Sequence, residues 1–267
     1  MNYEISIIMG IYNCADTLDD AIQSILNQTF KNWKLIMCDD CSTDNTFEIA
    51  KRYSKKYSNI FVLKNEINMG LNYTLNRCLK NVDTKYVARM DGDDISERNR
   101  LEKEYDFLEN NEKYALVSTH MVCFDEKGDW GIWKTKENPE KDDFIKSSPF
   151  CHGACLIRTQ AIKKVCGYSE ENKFLRIEDW HLWYKFYKEG FIGYNIQEPL
   201  YKMRDDRNAT KRRKFKYRIN EANLKFLIIN EFGISKFKYI YVLKPLILGI
   251  IPLKLYEFLH RYHLKNK

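Results

Sequence analysis

The chain opens with an apolar, β-branched run, Ile5 to Ile11, that reads as a strand buried on both faces. Asp16-Thr17 then offers a helix N-cap, and Leu18, Ala21, Ile22, Ile25 and Leu26 follow at helical spacing. The alternation repeats. Trp33 to Met37 predicts a second buried strand. Ser42-Thr43-Asp44 predicts the cap of a second helix, whose Phe47, Ala50, Tyr53 and Tyr57 share a face, and Ile60 to Leu63 predicts a third strand. Asn68-Met69-Gly70 predicts a turn into a helix carrying Leu71, Leu75, Cys78 and Leu79, and Tyr86 to Met90 a fourth strand. Strands without a polar face, alternating with amphipathic helices, predict a mostly parallel α/β sheet covered on both sides. Ligands gather at the carboxyl ends of such strands. The acidic clusters Asp39-Asp40 and Asp91–Asp94 lie at two such ends, on one rim.

The pattern loosens after Ser96. A charged helix runs to about Asn110, Tyr114 to Phe124 predicts a strand, and Asp125 to Ser148 predicts a polar, loop-rich excursion with Gly128, Gly131 and Pro139. Cys155-Leu156-Ile157 resumes the core, Ile177 to Glu189 is an aromatic-rich helix, and Ile192 to Tyr201 a last strand. From Lys211 the character changes. Lys211-Arg212-Arg213-Lys214-Phe215-Lys216-Tyr217-Arg218 opens a helical stretch with Leu224, Leu227 and Ile228. Tyr239 to Leu259 is apolar but interrupted by Lys244, Pro245, Pro252 and Lys254. A transmembrane helix needs about 20 apolar residues, and prolines break it. This run therefore predicts either attachment at a membrane surface or a helical appendage packed on the domain. The expected division is a domain over residues 1–207 and a basic, partly apolar helical tail over 208–267.

Composition sharpens this division. With 267 residues, 44% hydrophobic and 30% charged, the chain has enough apolar material for a sizeable core. Its net charge of +7 is unevenly placed. Residues 201–267 hold 17 Lys and Arg against 5 Asp and Glu, while the preceding 200 residues are mildly acidic. A basic tail favours anionic partners. Met1-Asn2-Tyr3-Glu4 lacks the basic start of a secretory leader, so none is expected. The eight cysteines are then read as reduced small hydrophobes of a cytosolic protein, Cys38-Asp39-Asp40-Cys41 included.

Three clusters carry candidate chemistry. Asp91-Gly92-Asp93-Asp94 concentrates negative charge at a strand end. A divalent cation removes the repulsion, and hard oxygen ligands suit Mg²⁺ or Mn²⁺. Mg²⁺ takes few protein carboxylates and completes its shell with phosphates and water, so a diphosphate-bearing substrate is implied. A solvated turn that caps the next helix fits the same spacing. Asp39, ahead of the caps at Ser42 to Asp44, is placed to accept hydrogen bonds from a nucleobase. Glu178-Asp179 opens the aromatic helix, where desolvation raises carboxylate pKa values and suits one of them to general-base work; charge that complements the helix dipole fits the same position. His152 and Arg204 stand as single candidates for diphosphate or acceptor contact.

In this order the motifs resemble those of the family 2 inverting glycosyltransferases, with their GT-A fold. The resemblance covers about residues 4–204. It rests on Ser6-Ile7-Ile8 with Tyr12-Asn13, Ala21 to Phe30, Asp39-Asp40-Cys41-Ser42-Thr43-Asp44-Asn45-Thr46, Asn68-Met69-Gly70, Asp91-Gly92-Asp93-Asp94 with Arg100-Leu101, and Glu178-Asp179-Trp180. It implies a Rossmann-like, mixed, mostly parallel sheet flanked by helices, with a C-terminal helical appendage. It also implies a nucleoside diphosphate sugar, with uridine the expected base, bound by Ile11, Tyr12, Asn13, Asp39, Asn68, Gly70, Arg89, Asp91, Gly92, Arg100 and His152. Asp39 would read the base, Asp91 would contact the ribose or nucleotide, and Asp93 would bind Mn²⁺ or Mg²⁺ bridging the diphosphate. Asp179, with Glu178 beside it, would deprotonate an acceptor hydroxyl that attacks from the opposite face and inverts the anomeric carbon. The expected activity is hexosyl or N-acetylhexosaminyl transfer to a glycan or polyprenyl-linked acceptor in bacterial surface polysaccharide synthesis, in the cytoplasm and peripheral on the inner face of the cell membrane.

The chain departs from the family pattern in two places. Cys41 stands where Gly is usual, and Asp205-Asp206-Arg207 is not the usual continuation after Arg204. Other readings fare worse. A phosphatase using Asp-x-Asp places its nucleophile after the first strand, where Gly10-Ile11-Tyr12-Asn13 has no Asp, and a nucleotidyltransferase needs a Gly-rich basic loop there. The non-catalytic alternative is a basic module binding nucleic acid or membrane through Lys211–Arg218, with Phe215 and Tyr217 interleaved. The membrane is the expected partner of that segment, and nucleic acid is not.

Overall fold

The computed structural model describes residues 3–205, 214–252 and 255. Its centre is the predicted alternation. Strands β1 (Ile5–Ile11), β2 (Trp33–Asp39), β3 (Ile60–Lys64) and β4 (Tyr86–Arg89) run parallel in the order β3-β2-β1-β4. Ile11 pairs with Asp39 in register, and Met90 N–H bonds Ile8 O, so β1, β2 and β4 deliver Ile11–Asn13, Asp39–Asp40 and Asp91–Asp94 to one rim. The sheet continues through β8 (Leu156–Arg158), β6 (Tyr114–Asp125), β9 (Ile192–Arg204) and β5 (Ile95–Ser96). Here β8 is antiparallel to both neighbours, β6 and β9 are parallel, and β5 is antiparallel to β9. The stretch expected to be a loop-rich excursion contains a further strand, β7 (Gly128–Trp133), hairpinned onto β6. Its glycines masked the period-2 signal.

Alternate residues of the central strands feed two cores. Ile8, Ile36 and Val87 face α3 (Leu71–Leu79), α5 (Thr159–Lys164) and α6 (Glu178–Lys188). Ile7, Leu35 and Ala88 face α1 (Ala15–Leu26), α2 (Thr46–Lys56) and α4 (Arg100–Asn110). Each large side chain sealed here, such as Trp183 or Phe186, contributes roughly 2–3 kcal/mol of burial. Helix α7 (Phe215–Glu231) joins the first core through Leu224, Ile228 and Ile229. Helix α8 (Ile240–Ile250) packs on α7 and buries only Pro245. Asp206, Arg207 and the first residues of the basic run Lys211–Arg218 lie outside the described residues, as does all but Leu255 of the apolar run beyond Pro252. Among the described residues no helix is long and apolar enough to cross a membrane.

Capping departs from the expected assignment. Helix α1 begins at Ala15, and Asp16-Thr17 does not cap it. Thr17 instead donates its hydroxyl to Gly92 O at 3.0 Å, tying α1 to the acidic loop. The amides of Asn13, Cys14 and Ala15 are received by Ser42 Oγ at 3.0 Å, Thr46 Oγ1 at 2.8 Å and Asp44 Oδ2 at 3.2 Å. The cluster expected to cap α2 therefore closes α1 across 29 to 32 residues of chain, while Asp44 Oδ1 also accepts Thr46 N–H of its own helix. Amides at a helix start need acceptors, whichever segment supplies them. Asp40 does the same for α3, accepting Met69 and Gly70 N–H, each at 2.8 Å.

The residue that departs from the family pattern sits in this cap. Cys41 holds a φ of +60°, a left-handed conformation costing a β-carbon-bearing residue roughly 1–2 kcal/mol. Glycine removes that strain but gives back roughly 0.4–1 kcal/mol through a looser unfolded chain. Cys41→Gly is therefore expected to stabilise the fold by about 0.5–1 kcal/mol, read as a higher urea midpoint at constant slope. A lower midpoint would refute the strain at this position.

Candidate active site

The rim is built first by main chain. Ile11 is buried and its carbonyl accepts Asp40 N–H at 2.9 Å. Tyr12 and Asn13 follow, exposed, with Asn13 Oδ1 accepting Thr43 N–H at 2.9 Å. Behind them Asp39 is fully buried. Its Oδ2 accepts Ser42 N–H at 3.2 Å, while Oδ1 has no protein partner. A buried carboxylate oxygen left unpaired is costly, and a ligand N–H would satisfy it. Asn68 is exposed on the neighbouring turn, and Gly70 opens α3 with a φ of +85°.

The acidic loop after β4 is held from three sides. Arg89, fully buried, donates to Met90 O and to Asp91 Oδ1, the latter at 2.5 Å. Tyr201 Oη, from β9, accepts Asp91 N–H at 3.2 Å and hydrogen-bonds the Asp94 carboxyl. Arg204 gives its main-chain N–H to Asp94 Oδ1 at 2.7 Å and its Nε–H to Asp93 O at 3.0 Å, with its guanidinium 4.6 Å from the Phe124 ring centroid. Arg204 thus clasps the loop. Burial, then the charges of Asp91 and Asp93, push Asp94 well above the usual carboxylate range. A Cβ at Gly92 would lie 2.9 Å from Cys14 Sγ, and one at Gly153 would lie 2.6 Å from Tyr201 Oη, so both glycines admit close packing around the loop.

Two arginines expected at the nucleotide sugar are buried. Arg89 is 1% and Arg100 0% exposed. Arg100 bonds Gly153 O at 2.7 Å and Arg89 O at 3.2 Å, lies 5.2 Å from the Tyr201 ring centroid, and faces the buried Glu104 at 3.9 Å. Both guanidinium groups work beneath the surface, Arg89 through Asp91 and Arg100 through the strand end. A motif in sequence does not reveal which side of the backbone its arginine takes.

A cleft of about 890 Å³ runs from Asp91 and Asp94 past Cys151, His152 and Gly153 to Asp179. Asp93 and Glu178 adjoin its lining residues in the chain, and Tyr12, Asn13, Asp39, Asn68 and Gly70 lie along the rim beyond it. His152 Nε2 lies 2.8 Å from Tyr168 Oη. Burial and the Arg89 charge hold this imidazole well below its usual pKa, so it is neutral at pH 7. Glu178 and Asp179 form the first turn of α6. Burial, then the neighbouring Asp179 charge, pushes Glu178 to about 7. Burial also raises Asp179, opposed by the hydroxyl of Ser148, which donates to Oδ2 at 2.9 Å. Ser148 and Tyr201 were not legible as site residues, since one sat in an apparent loop and the other ended a strand.

Among the described residues no three His, Cys, Asp or Glu side chains converge on a metal position. The loop's donor set still fits a divalent cation. Asp91, Asp93 and Asp94 bring hard carboxylate oxygens together within four residues, with Asp91 steadied by Arg89 and Asp94 by Arg204 and Tyr201, and such oxygens suit Mg²⁺ and Mn²⁺, which complete their shells with phosphates and water.

Ser148 supplies a direct check. Its hydroxyl favours the ionised form of Asp179, so removing it leaves burial less opposed and the proton is held to higher pH. In Ser148→Ala the Asp179 carboxyl should titrate at a higher pH than in the parent, followed by its ¹³C shift. An unchanged or lower titration would exclude this hydrogen bond as a tuning contact.

Residues 6–166 match the model of Glycosyl transferase family 2. A protein of Bacillus subtilis (strain 168) that bears the name glycosyltransferase EpsE is 44% identical over 264 residues, 98% of this chain and 94% of its own. An Escherichia coli UDP-Gal:alpha-D-GlcNAc-diphosphoundecaprenol beta-1,3-galactosyltransferase is 32% identical, over 83% of this chain and 82% of its own. Among solved structures, that of S. aureus TarS 1-349 in complex with UDP-GlcNAc superposes with a TM-score of 0.69 at 20% identity, covering 97% of this chain and 72% of that one.

Proposed function

The chain belongs to glycosyl transferase family 2, and from that premise we propose that it moves a hexosyl or N-acetylhexosaminyl group from a UDP-sugar to a hydroxyl of a glycan or lipid-linked acceptor, inverting the anomeric carbon. It is a glycosyltransferase with the GT-A fold, related to bacterial polysaccharide and lipid-linked transferases. The observation that carries the finer reading is one cleft, lined at one end by Asp91 and Asp94 and further along by Asp179, a carboxyl raised by burial.

Each residue then has a task. Asp39 accepts the imide N–H of uracil on its unpaired Oδ1, with Ile11, Tyr12, Asn13, Asn68 and Gly70 forming the nucleotide rim. Asp91, steadied by Arg89, meets the ribose or nucleotide, and Gly92 lets the loop approach it. Asp93 together with diphosphate oxygens would hold Mn²⁺ or Mg²⁺, which supplies charge neutralisation for the leaving diphosphate. Neutral His152 lines the path between loop and base. Asp179 takes the proton of the acceptor hydroxyl, whose oxygen attacks the anomeric carbon from the face opposite the diphosphate, so one displacement inverts the centre. Glu178, half protonated near pH 7, limits repulsion within the carboxylate pair. Asp179→Asn should lower turnover by roughly 10²–10⁴-fold while UDP binding in Mn²⁺ stays within about twofold, since the base does not touch the nucleotide. UDP release from UDP-glucose, UDP-galactose and UDP-N-acetylglucosamine reads the first, and calorimetry the second. Parental turnover in the variant would end this reading.

The segment 208–267 is proposed as a tail that rests on the inner face of the cell membrane. Helix α8 exposes Ile240, Leu243, Ile247 and Ile250 in a row at helical spacing, after Phe237, which is 95% exposed. Lys236 and Lys238, the latter paired with Asp142, precede that row. An apolar stripe edged by lysines suits an anionic lipid surface. The full chain should float with phosphatidylglycerol vesicles, less so at high salt, and Leu243→Glu with Ile247→Glu should release it. Equal flotation of that variant would exonerate α8.

A further inference from the structure

Beyond Asp179 the cleft continues to a second wall, formed by α7 and α8. Lys214, Tyr217, Arg218, Glu221 and Lys225 line it from α7 and the residue before it, and Tyr241, Lys244 and Leu248 line it from α8. Arg218, Glu221 and Lys225 share one face, three and four residues apart. Glu221 sits between two cations, with Oε2 at 3.0 Å from Arg218 and Oε1 at 3.2 Å from Lys225. Lys225 is 1% exposed and held 5.2 Å from the Trp180 ring centroid, beside the first turn of α6. Lysine is among the residues least often buried this way. Burial, against the pull of Glu221, lowers its proton affinity, and Lys244 and Arg218 are near enough to lower it further.

Arg218 and Lys225 therefore share Glu221 on a cavity wall that Lys214 and Lys244 also line, so cations outnumber carboxylates among the residues lining it from α7, α8 and Lys214. This mirrors the acidic loop at the other end of the cleft. The donor reading leaves these residues without a task, because the diphosphate of the nucleotide belongs at the Asp91–Asp94 loop. Arg218 and Lys225 also face inward, lining the cleft with little solvent exposure; Lys244 lines it from α8 while remaining exposed, and the apolar row of α8 faces out. Tyr241 and Leu248 add an apolar strip beside the cations.

We propose that this wall is the acceptor subsite for an anionic, lipid-borne phosphate, in which Arg218, Lys225 and Lys244 bind an acceptor diphosphate while Tyr241 and Leu248 receive the first part of its hydrocarbon chain. The assignment rests on the glycosyltransferase reading, and it makes the acceptor's phosphate a second anion in the cleft, distinct from that of the donor. The sugar carried on that phosphate then extends toward Asp179. Interactions between charged partners in a partly enclosed cleft are the strong ones, so truncating one should be measurable.

The test uses calorimetry on the full chain, first titrated with UDP in Mn²⁺ and then, saturated with both, titrated with farnesyl diphosphate below its micellar concentration. Saturable binding of the second ligand is expected, weakened roughly tenfold in Lys244→Ala and in Arg218→Gln and unchanged in Lys55→Ala, an exposed cation of α2 outside the cleft. Farnesol should not bind, and inorganic diphosphate should bind more weakly than the prenyl compound. The proposal is overturned if farnesyl diphosphate fails to bind the UDP-loaded protein, if farnesol binds as well, or if both cleft variants retain parental affinity. It is also overturned if phosphatidylglycerol vesicles displace the ligand, which would make the wall a general headgroup contact. Failure of UDP in the first titration, with farnesyl diphosphate still bound, strikes the donor reading alone.

Discussion

Repulsion among Asp91, Asp93 and Asp94 is the constraint that most of this architecture answers. Three carboxylates within four residues cannot all sit at a strand end unaided. The protein brings a buried arginine beneath them, a tyrosine hydroxyl beside them, and the main chain and guanidinium of Arg204 across them. Two of these contacts come from β9, more than a hundred residues away along the chain. The long β6–β9 pair and the short β5 strand paired to β9 therefore do more than extend a sheet. They carry Tyr201 and Arg204 to the one loop that needs them. Arg100 extends the same support a layer deeper, bonding the carbonyls of Arg89 and Gly153.

Much of this was legible in the sequence. The four parallel strands follow from apolar runs without polar faces, and their common rim follows from the rule that such sheets gather chemistry at strand ends. Other features were illegible for identifiable reasons. Side chains with cap chemistry announce that a helix start is near but not which one, and Ser42, Asp44 and Thr46 close the helix before their own. Strand β7 hides behind two glycines that dilute its alternation. Arg89 and Arg100 lie in motifs that point to a ligand, yet lie under the surface. Ser148 and Tyr201 acquire meaning only when distant segments fold together, because neither has a neighbour in sequence that marks it. The direction of the Asp179 shift was legible from its aromatic helix, whereas the hydroxyl that opposes it was not.

The cleft also has a polarity that no single motif conveys. Its acidic end holds Asp91 and Asp94, its middle holds a carboxyl raised by burial, and its far wall is basic. A raised carboxyl pKa between these ends is physically reasonable. Burial raises the Asp179 carboxyl above its ordinary value, and the Ser148 hydroxyl opposes the shift. A base too easily ionised would be too weak to take a hydroxyl proton, and one too strongly desolvated would already be protonated.

Positional strain points to the same rim. Asn13 and Cys41 both occupy left-handed conformations, and they flank the strand ends where Asp39 keeps one buried oxygen without a protein partner. Asparagine tolerates such a backbone, but cysteine does so at a cost. Two of the four described non-glycine residues with positive φ thus sit at this strand-end rim; Arg176 lines the cleft and Cys166 follows α5. Strain at a rim is expected where a surface is shaped for a ligand at some expense to its own stability. The crowded cations of α7 and α8 break the same kind of rule at the other end of the cleft, and by the same logic they mark a place where a second anion belongs.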